Sequence, residues 1–366
     1  MDNAAIRPFR AVGFAGGTEA VSSRTYVPSV SWSRVPQELP EHHVLRLLEP
    51  AFRDDDPYEA ARTAAAWLTE GVLAVDAEPS FYAYRTVDAG REAVGVVVLV
   101  DLEAGRLRPH EDVIAAYAIR QARLAEATRA QWEPITAYTT DEPVGPLLAA
   151  TLTRPADHVA LDDARSDEVW AITDPPTLDA LGERLADQSL VIADGHHRYA
   201  AWRTAPDREG RLALTLVLDP PALDVGPIHR VVARLDLDDA LKGLPLPVVE
   251  LDDVDTAAAF VEHGETRCVL TDGRRFLGVN AYECAPCWVE DVFTPHHGLE
   301  SEAVSYEPDL RMAARTAAVE GGVALLLSTP LLDTVTRAAT TGRLLPHKSS
   351  WFRPKPRVGM VMRRWA

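Results

Sequence analysis

The thirteen residues from 190 to 202 constrain this chain more than any other stretch. Leu190, Val191, Ile192 and Ala193 form a short apolar run, and Asp194, Gly195, His196, His197 and Arg198 follow it without a break. The apolar run reads as a buried strand, Gly195 permits a sharp turn, and the composition from Tyr199 onward is that of a helix. Such a corner fixes the local topology and gathers a carboxylate, two imidazoles and a guanidinium at a helix N-terminus. Unpaired backbone N–H groups and the helix dipole favour anions there, and Arg198 can add a two-point contact to phosphate. Two readings follow. Either the cluster binds phosphate, with Asp194 orienting a substrate group or a hydrated Mg²⁺, or Asp194 only caps the helix while Arg198 pairs with a carboxylate. Ionisable groups gathered on a loop are costly to hold without use, which favours a site.

Other polar pairs compete for attention. His110-Glu111 lies where a strand ends and a long helical pattern begins. A buried glutamate there would serve as a general base, whereas an exposed one would only complement the helix dipole. His229-Arg230 opens a strand after Gly226-Pro227 and is a candidate contact to a substrate carboxylate or a pair that holds two strands. Lys348-Ser349-Ser350 stands beside Trp351-Phe352 and is read as closing over a nucleotide or as a tail held by the aromatics. Cys284 and Cys287 precede His296 and His297, but a spacer of eight residues and two adjacent histidines do not match common zinc spacing. They are read as surface or core cysteines, and no metal site is assigned.

Strands and helices alternate along the chain, which predicts an α/β (α+β) protein with mixed sheets and flanking helices. Helices are expected from Asp56 to Gly71, with Asp56 as N-cap and Pro57 at the first position, and from Asp112 to Ala130, Pro176 to Asp187, Asp255 to Glu262, Glu290 to Phe293 and Leu331 to Thr340. Strands are expected at Phe81 to Val87, Val94 to Asp101, Ile135 to Tyr138, Val169 to Ile172, Leu212 to Leu218, Thr266 to Thr271, Arg275 to Asn280 and Gly322 to Leu327. The first forty residues suggest an extended segment with little helix, and Asp141 to Leu161 a partly ordered connection. The pattern restarts near 233, so the division expected is a motif-bearing lobe, 1–232, and a C-terminal α/β lobe packing on it, 233–366.

Composition excludes more than it selects. A formal charge of −18 argues against general nucleic-acid binding, which needs a basic surface. No stretch approaches the about 20 apolar residues of a membrane span, and no signal-peptide order opens the chain, so a cytoplasmic location is expected. Nearly all basic residues are arginine, the three lysines being Lys242, Lys348 and Lys355. The phosphate-loop, Gly-x-Gly-x-x-Gly, His-Glu-x-x-His and Gly-x-Ser-x-Gly patterns are absent, which sets aside P-loop kinases, Rossmann dehydrogenases, zincins and serine hydrolases.

Ala-Asp-Gly-His-His-Arg-Tyr on such a corner resembles the nucleotide-binding signature of the ParB/sulfiredoxin superfamily, which includes segregation CTPases and free-serine kinases. More widely, the chain resembles bacterial and archaeal proteins grouped as domain of unknown function 1015. The segments that carry this likeness are 7–10, 67–73, 79–84, 109–111, 192–199, 228–232 and the block from Gly342 to Pro356. One family block departs, since Val27 to Trp32 stands where relatives carry Pro-Pro-Tyr-Asp. The resemblance implies a ParB/sulfiredoxin-like core with an additional lobe. It also implies a nucleotide-dependent kinase, a phosphotransferase acting on the hydroxyl of a small amino-acid-like molecule such as serine, with ATP or ADP and Mg²⁺ and a place in amino-acid metabolism. In that expectation Glu111, Asp194 and His197 are catalytic, Gly195, His196, Arg198, Lys348 and Ser349 bind the nucleotide, and His110, His229 and Arg230 bind substrate. The glutamate base of the serine kinases lies nearer the Asp-Gly-His motif than Glu111 does here. The alternative from another class is a ParB-like nucleotide switch without small-molecule turnover. A homodimer is the candidate assembly.

Overall fold

The computed structural model describes residues 5–26, 38–48, 50, 55–244, 246–281, 284–300 and 303–366. The departing block at Val27 to Trp32 lies outside them. The molecule is mixed α/β. Its largest sheet runs in the order Leu107–Arg108, Leu190–Asp194, Ile135–Thr139, Leu212–Leu218, Arg91–Asp101, Phe81–Asp88, Arg165–Ile172, His158–Leu161, with Ile6–Arg7 beside the long strand Arg91–Asp101. Every side chain of Leu212–Leu218 is buried, because this strand pairs in parallel with Ile135–Thr139 and antiparallel with Arg91–Asp101 and is covered on both faces. That explains its unbroken apolar run. The motif strand Leu190–Asp194 lies one place in from the edge, parallel to Leu107–Arg108.

Local sequence chemistry sets several boundaries as expected. Asp56 caps the helix Pro57–Thr69, accepting from the N–H groups of Tyr58 and Glu59, with Pro57 at the first position. The turn at Asp88–Arg91 joins the two long strands. Two expectations are corrected. The N-terminal region holds a helix, Thr18–Arg24, anchored by buried Val21, and the span from Asp141 to Leu161 contains the short helix Gly145–Leu148 and the strand His158–Leu161. The strand expected from Val169 starts at Arg165 because it pairs with Phe81–Asp88 along its whole length. Its polar first half hides the alternation, since Arg165 and Asp167 point inward and neutralise each other.

A second sheet of six strands runs Val249–Leu251, Phe276–Asn280, Arg267–Thr271, Val323–Leu327, His229–Val232, Val304–Glu307. Helices Val254–Val261 and Leu310–Glu320 cover one face, and the turn-rich helical stretch from Ala285 to His296 covers the other. Against the expected border at 232/233, this sheet already takes His229–Val232. The chain then returns to strands from earlier in the sequence: Trp351–Arg353 pairs with Asp224–Gly226, and Met362–Arg364 lies between Ala11–Phe14 and Ala130–Gln131. Among the described residues, no helix is long and apolar enough to cross a membrane.

Candidate functional site

The motif forms the corner that the sequence describes. The strand ends at Asp194, Gly195 takes φ 98°, and the helix runs His196–Arg203. A side chain at Gly195 would meet the Arg198 guanidinium at 2.9 Å, and its left-handed backbone also favours glycine. No side chain caps this helix, so its first N–H groups remain available to an anion. Arg198 does not point outward. Its guanidinium pairs with Glu133 and with Asp194 at 2.9 Å, and donates to the Pro134 carbonyl at 3.1 Å. The other oxygen of Asp194 pairs with Lys355, whose ammonium also sits 4.1 Å from the Trp351 ring centroid. Burial alone would raise the Asp194 pKa, but Lys355 and Arg198 outweigh it and hold the carboxyl well below its usual range.

Glu111 reaches the same centre from the other side. Its backbone bridges to Leu345, while Asp112 and Leu345 donate to the carbonyls of Leu345 and His110 at 2.8 Å. This brings the block from 342 to 356 over the carboxylate. Oε2 of Glu111 accepts from the Ser349 N–H at 3.0 Å and lies 3.5 Å from the Ser350 hydroxyl, while Oε1 lies 3.5 Å from His196 Nδ1. Burial pushes the Glu111 pKa up to about 7, although the Lys348 charge and the Ser349 N–H pull it back in part. Lys348 faces both Glu111 and Asp194, and burial lowers its pKa. Its ammonium makes no hydrogen bond among the described residues.

Burial favours the neutral form of the three histidines near this centre. His110 donates from Nδ1 to the Ile192 carbonyl at 2.7 Å, and Nε2 lies 2.8 Å from Ser350 Oγ; burial pushes its pKa down to about 4. His196 accepts the His110 N–H at Nε2, and burial takes its pKa well below normal. His197 accepts from the Ile114 N–H at 3.0 Å, which starts the helix Ala115–Thr128, and burial pushes its pKa down to about 3.

Glu111, Asp194, Gly195, His196, Lys348, Ser349 and His110 therefore converge. His229 and Arg230 occupy other positions. His229 is buried, accepts the Leu327 N–H at 2.9 Å and has its pKa pushed down to about 3 by burial. Arg230 is buried and binds backbone carbonyls, those of Ile228, of Lys348 at 2.8 Å and of His347 at 3.1 Å. It holds the loop that carries Lys348 in place of a substrate carboxylate. The reading of Cys284 and Cys287 as plain thiols is corrected: the first turn of a short helix brings them together as a disulfide. His296 and His297 face the carbonyls of Lys242 and Ala240. Among the described residues, no group of three or more His, Cys, Asp or Glu is arranged to hold a metal ion.

Sequence reasoning missed Lys355 and Glu133. One signal was available. In a chain that uses arginine almost throughout, two of its three lysines, Lys348 and Lys355, meet at this centre.

Over residues 6–262 the sequence matches the family described as "Protein of unknown function (DUF1015)". The chain belongs to this family. The DUF1015 match covers Glu111, Asp194 and Arg230 and ends before Lys348 and Lys355. No curated protein matches the chain in sequence. Among solved structures, a free serine kinase variant in complex with ADP is similar at 15% identity and TM-score 0.44, covering 73% of this chain and 92% of that one. A conserved hypothetical protein from Pyrococcus furiosus follows at 16% and 0.43, covering 73% and 93%. C-terminally truncated SbnI from Staphylococcus aureus stands at 11% and 0.43, covering 72% and 85%. These are likenesses of fold.

Proposed function

We propose that this DUF1015 protein is a nucleotide-dependent phosphotransferase that acts on the hydroxyl of a small amino-acid-like molecule, with the cluster around Glu111 and Asp194 as its active site. The observation that carries this reading is Glu111, a buried carboxylate with its pKa near neutrality, beside an ammonium that makes no hydrogen bond among the described residues. A base poised near pH 7 suits proton removal from an acceptor hydroxyl. Phosphoryl transfer otherwise demands positioning and stabilisation of oxygen charge. Lys348 and the uncapped N–H groups at Gly195 and His196 supply that charge complement, and the Asp-Gly-His-His-Arg resemblance supports a nucleotide phosphate there.

Asp194 is the carboxylate that fits Mg²⁺ when phosphates complete the coordination, since Mg²⁺ commonly takes one or two carboxylates plus phosphate oxygens and water. Its present partners, Lys355 and Arg198, hold its oxygens in place. His197 and Arg198 act here as supports, His197 for the helix after Ile114 and Arg198 for the Asp194 carboxylate.

Incubation with ATP or ADP, Mg²⁺ and serine, followed by phosphorus NMR, tests the proposal. Phosphoserine is the expected product. Bound or slowly hydrolysed nucleotide with no phosphorylated acceptor overturns it and favours a nucleotide switch.

A further inference from the structure

Resting on that reading, we infer that Ser350 is the protein's own phosphoryl acceptor: its hydroxyl already occupies the place beside His110 and Glu111 that an acceptor hydroxyl must reach. The Oγ of Ser350 lies 2.8 Å from His110 Nε2 and 3.5 Å from Glu111 Oε2. The direction of the proton follows from the partner on the far side of the ring. His110 Nδ1 faces the Ile192 carbonyl, which only accepts, so Nδ1 carries the hydrogen and Nε2 is the acceptor. The Ser350 hydroxyl therefore donates to His110. A hydroxyl bonded to a base that a third group orients is the arrangement of an activated nucleophile.

The neighbouring serine does not share this position. Ser349 turns its hydroxyl away, donating to the Pro346 carbonyl at 2.6 Å, and meets Glu111 through its backbone N–H alone. The segment is also fixed. Arg230 holds the carbonyls of His347 and Lys348, and the ring of Phe352 packs 5.8 Å from His110 and 6.0 Å from Tyr138. Ser350 is 7% exposed and Glu111 8%, so the hydroxyl and the carboxylate are both shielded from solvent. Lys348 and Lys355, on the same segment, bring positive charge toward the incoming phosphate.

The step balances with a nucleoside triphosphate as donor. A bond forms between Ser350 Oγ and the terminal phosphorus, and the bond from that phosphorus to the bridging oxygen breaks. The hydroxyl proton passes to His110 Nε2, and the nucleoside diphosphate leaves. The Glu111 carboxylate, 3.8 Å from His110 Nε2, compensates the imidazolium that forms.

The test incubates the purified full chain with ATP and Mg²⁺, then measures intact mass and locates any added phosphoryl group by fragmentation. Free serine is assayed in parallel by phosphorus NMR. The expected result is one phosphoryl group on Ser350, formed at a rate independent of protein concentration. It should be absent from Ser350→Ala and carried on the new hydroxyl in Ser350→Thr, a variant that retains the hydrogen bond to His110. An unmodified Ser350 in a preparation that phosphorylates free serine overturns this inference and leaves the proposed function standing. Neither product overturns both. Modified Ser350 without phosphoserine supports the inference and removes the small-molecule acceptor.

Discussion

The carboxylates of Asp167 and Glu111 are both buried, and both are reached by the returning C-terminal segment, yet their surroundings differ in kind. Asp167 has its oxygens filled: Oδ1 accepts from Tyr84 at 2.6 Å and Arg165 at 2.7 Å, and Oδ2 from Arg165 and Arg357 at 2.8 Å. Despite burial, which would raise it, these donors keep its pKa below the usual value. Glu111 has one N–H donor at 3.0 Å, longer contacts to Ser350 and His196, and a pKa pushed up by burial. Two arginines serve the first carboxylate, whereas a lysine that makes no hydrogen bond among the described residues faces the second. A saturated buried network fixes structure, and an unsaturated one keeps free energy in reserve for a ligand. The difference teaches where to look for chemistry: at the cluster whose groups are gathered but not satisfied.

The largest effect that tests this contrast is expected at the saturated end. Asp167→Ala leaves two buried guanidinium groups without their shared partner, and should cost about 3–5 kcal/mol in urea unfolding. The protein that remains folded should bind nucleotide with unchanged affinity by calorimetry. A variant of full stability that no longer binds nucleotide would invert the comparison.

Glu111→Gln comes next. It keeps the shape and removes the base, so nucleotide should still bind while turnover falls by about 10²-fold. Wild-type turnover should rise as pH increases through about 7, where Glu111 loses its proton, and the variant should lack that rise. Stability has the opposite sign. Because the folded pKa lies above that of the unfolded chain, the favourable contribution is present at low pH and is lost as pH climbs through about 7. By linkage the loss is roughly 3 kcal/mol, so Glu111→Gln should narrow the gap between stabilities measured at acidic and alkaline pH.

Lys348→Met sharpens the comparison further. Removing a partly buried ammonium that makes no hydrogen bond among the described residues should leave thermal stability unchanged or higher, while nucleotide affinity drops about tenfold, the scale of one charge-assisted hydrogen bond. Arg198→Lys should do the reverse, lowering stability with a smaller effect on affinity, since Arg198 holds Glu133 and Asp194. Reduction of the Cys284–Cys287 disulfide is expected to have the smallest effect, a shift of thermal midpoint with turnover retained, because the loop it closes is short.

The sequence made visible what depends on neighbours along the chain. Asp56 and Pro57 announce a helix start, the apolar run at Leu212–Leu218 announces a buried strand, and Gly195 announces the corner, because each acts within a few residues. The recognition of Glu111, Asp194 and Lys348 as candidates also rested on local pattern. What stayed hidden is pairing across distance. Nothing near Asp194 reveals that Lys355, 161 residues later, will be its counter-ion, or that Glu133 will take Arg198 from 65 residues away. Arg230 misled for the same reason, since beside the nearby Ile228 carbonyl it holds the backbone carbonyls of His347 and Lys348, more than a hundred positions on.

The return of the last segment also sets an order of events during synthesis. Glu111 and Asp194 leave the ribosome well before their partners Ser349 and Lys355, which follow them by 238 and 161 residues. Domains form from the N-terminal end during translation, whereas contacts of such long range must wait. A nascent chain therefore carries the acidic half of the site with neither of its lysines to answer it, and the cluster assembles only once residues 348–355 have emerged. A product cut short before residue 348 would hold the motif without Lys348, Ser349 and Lys355.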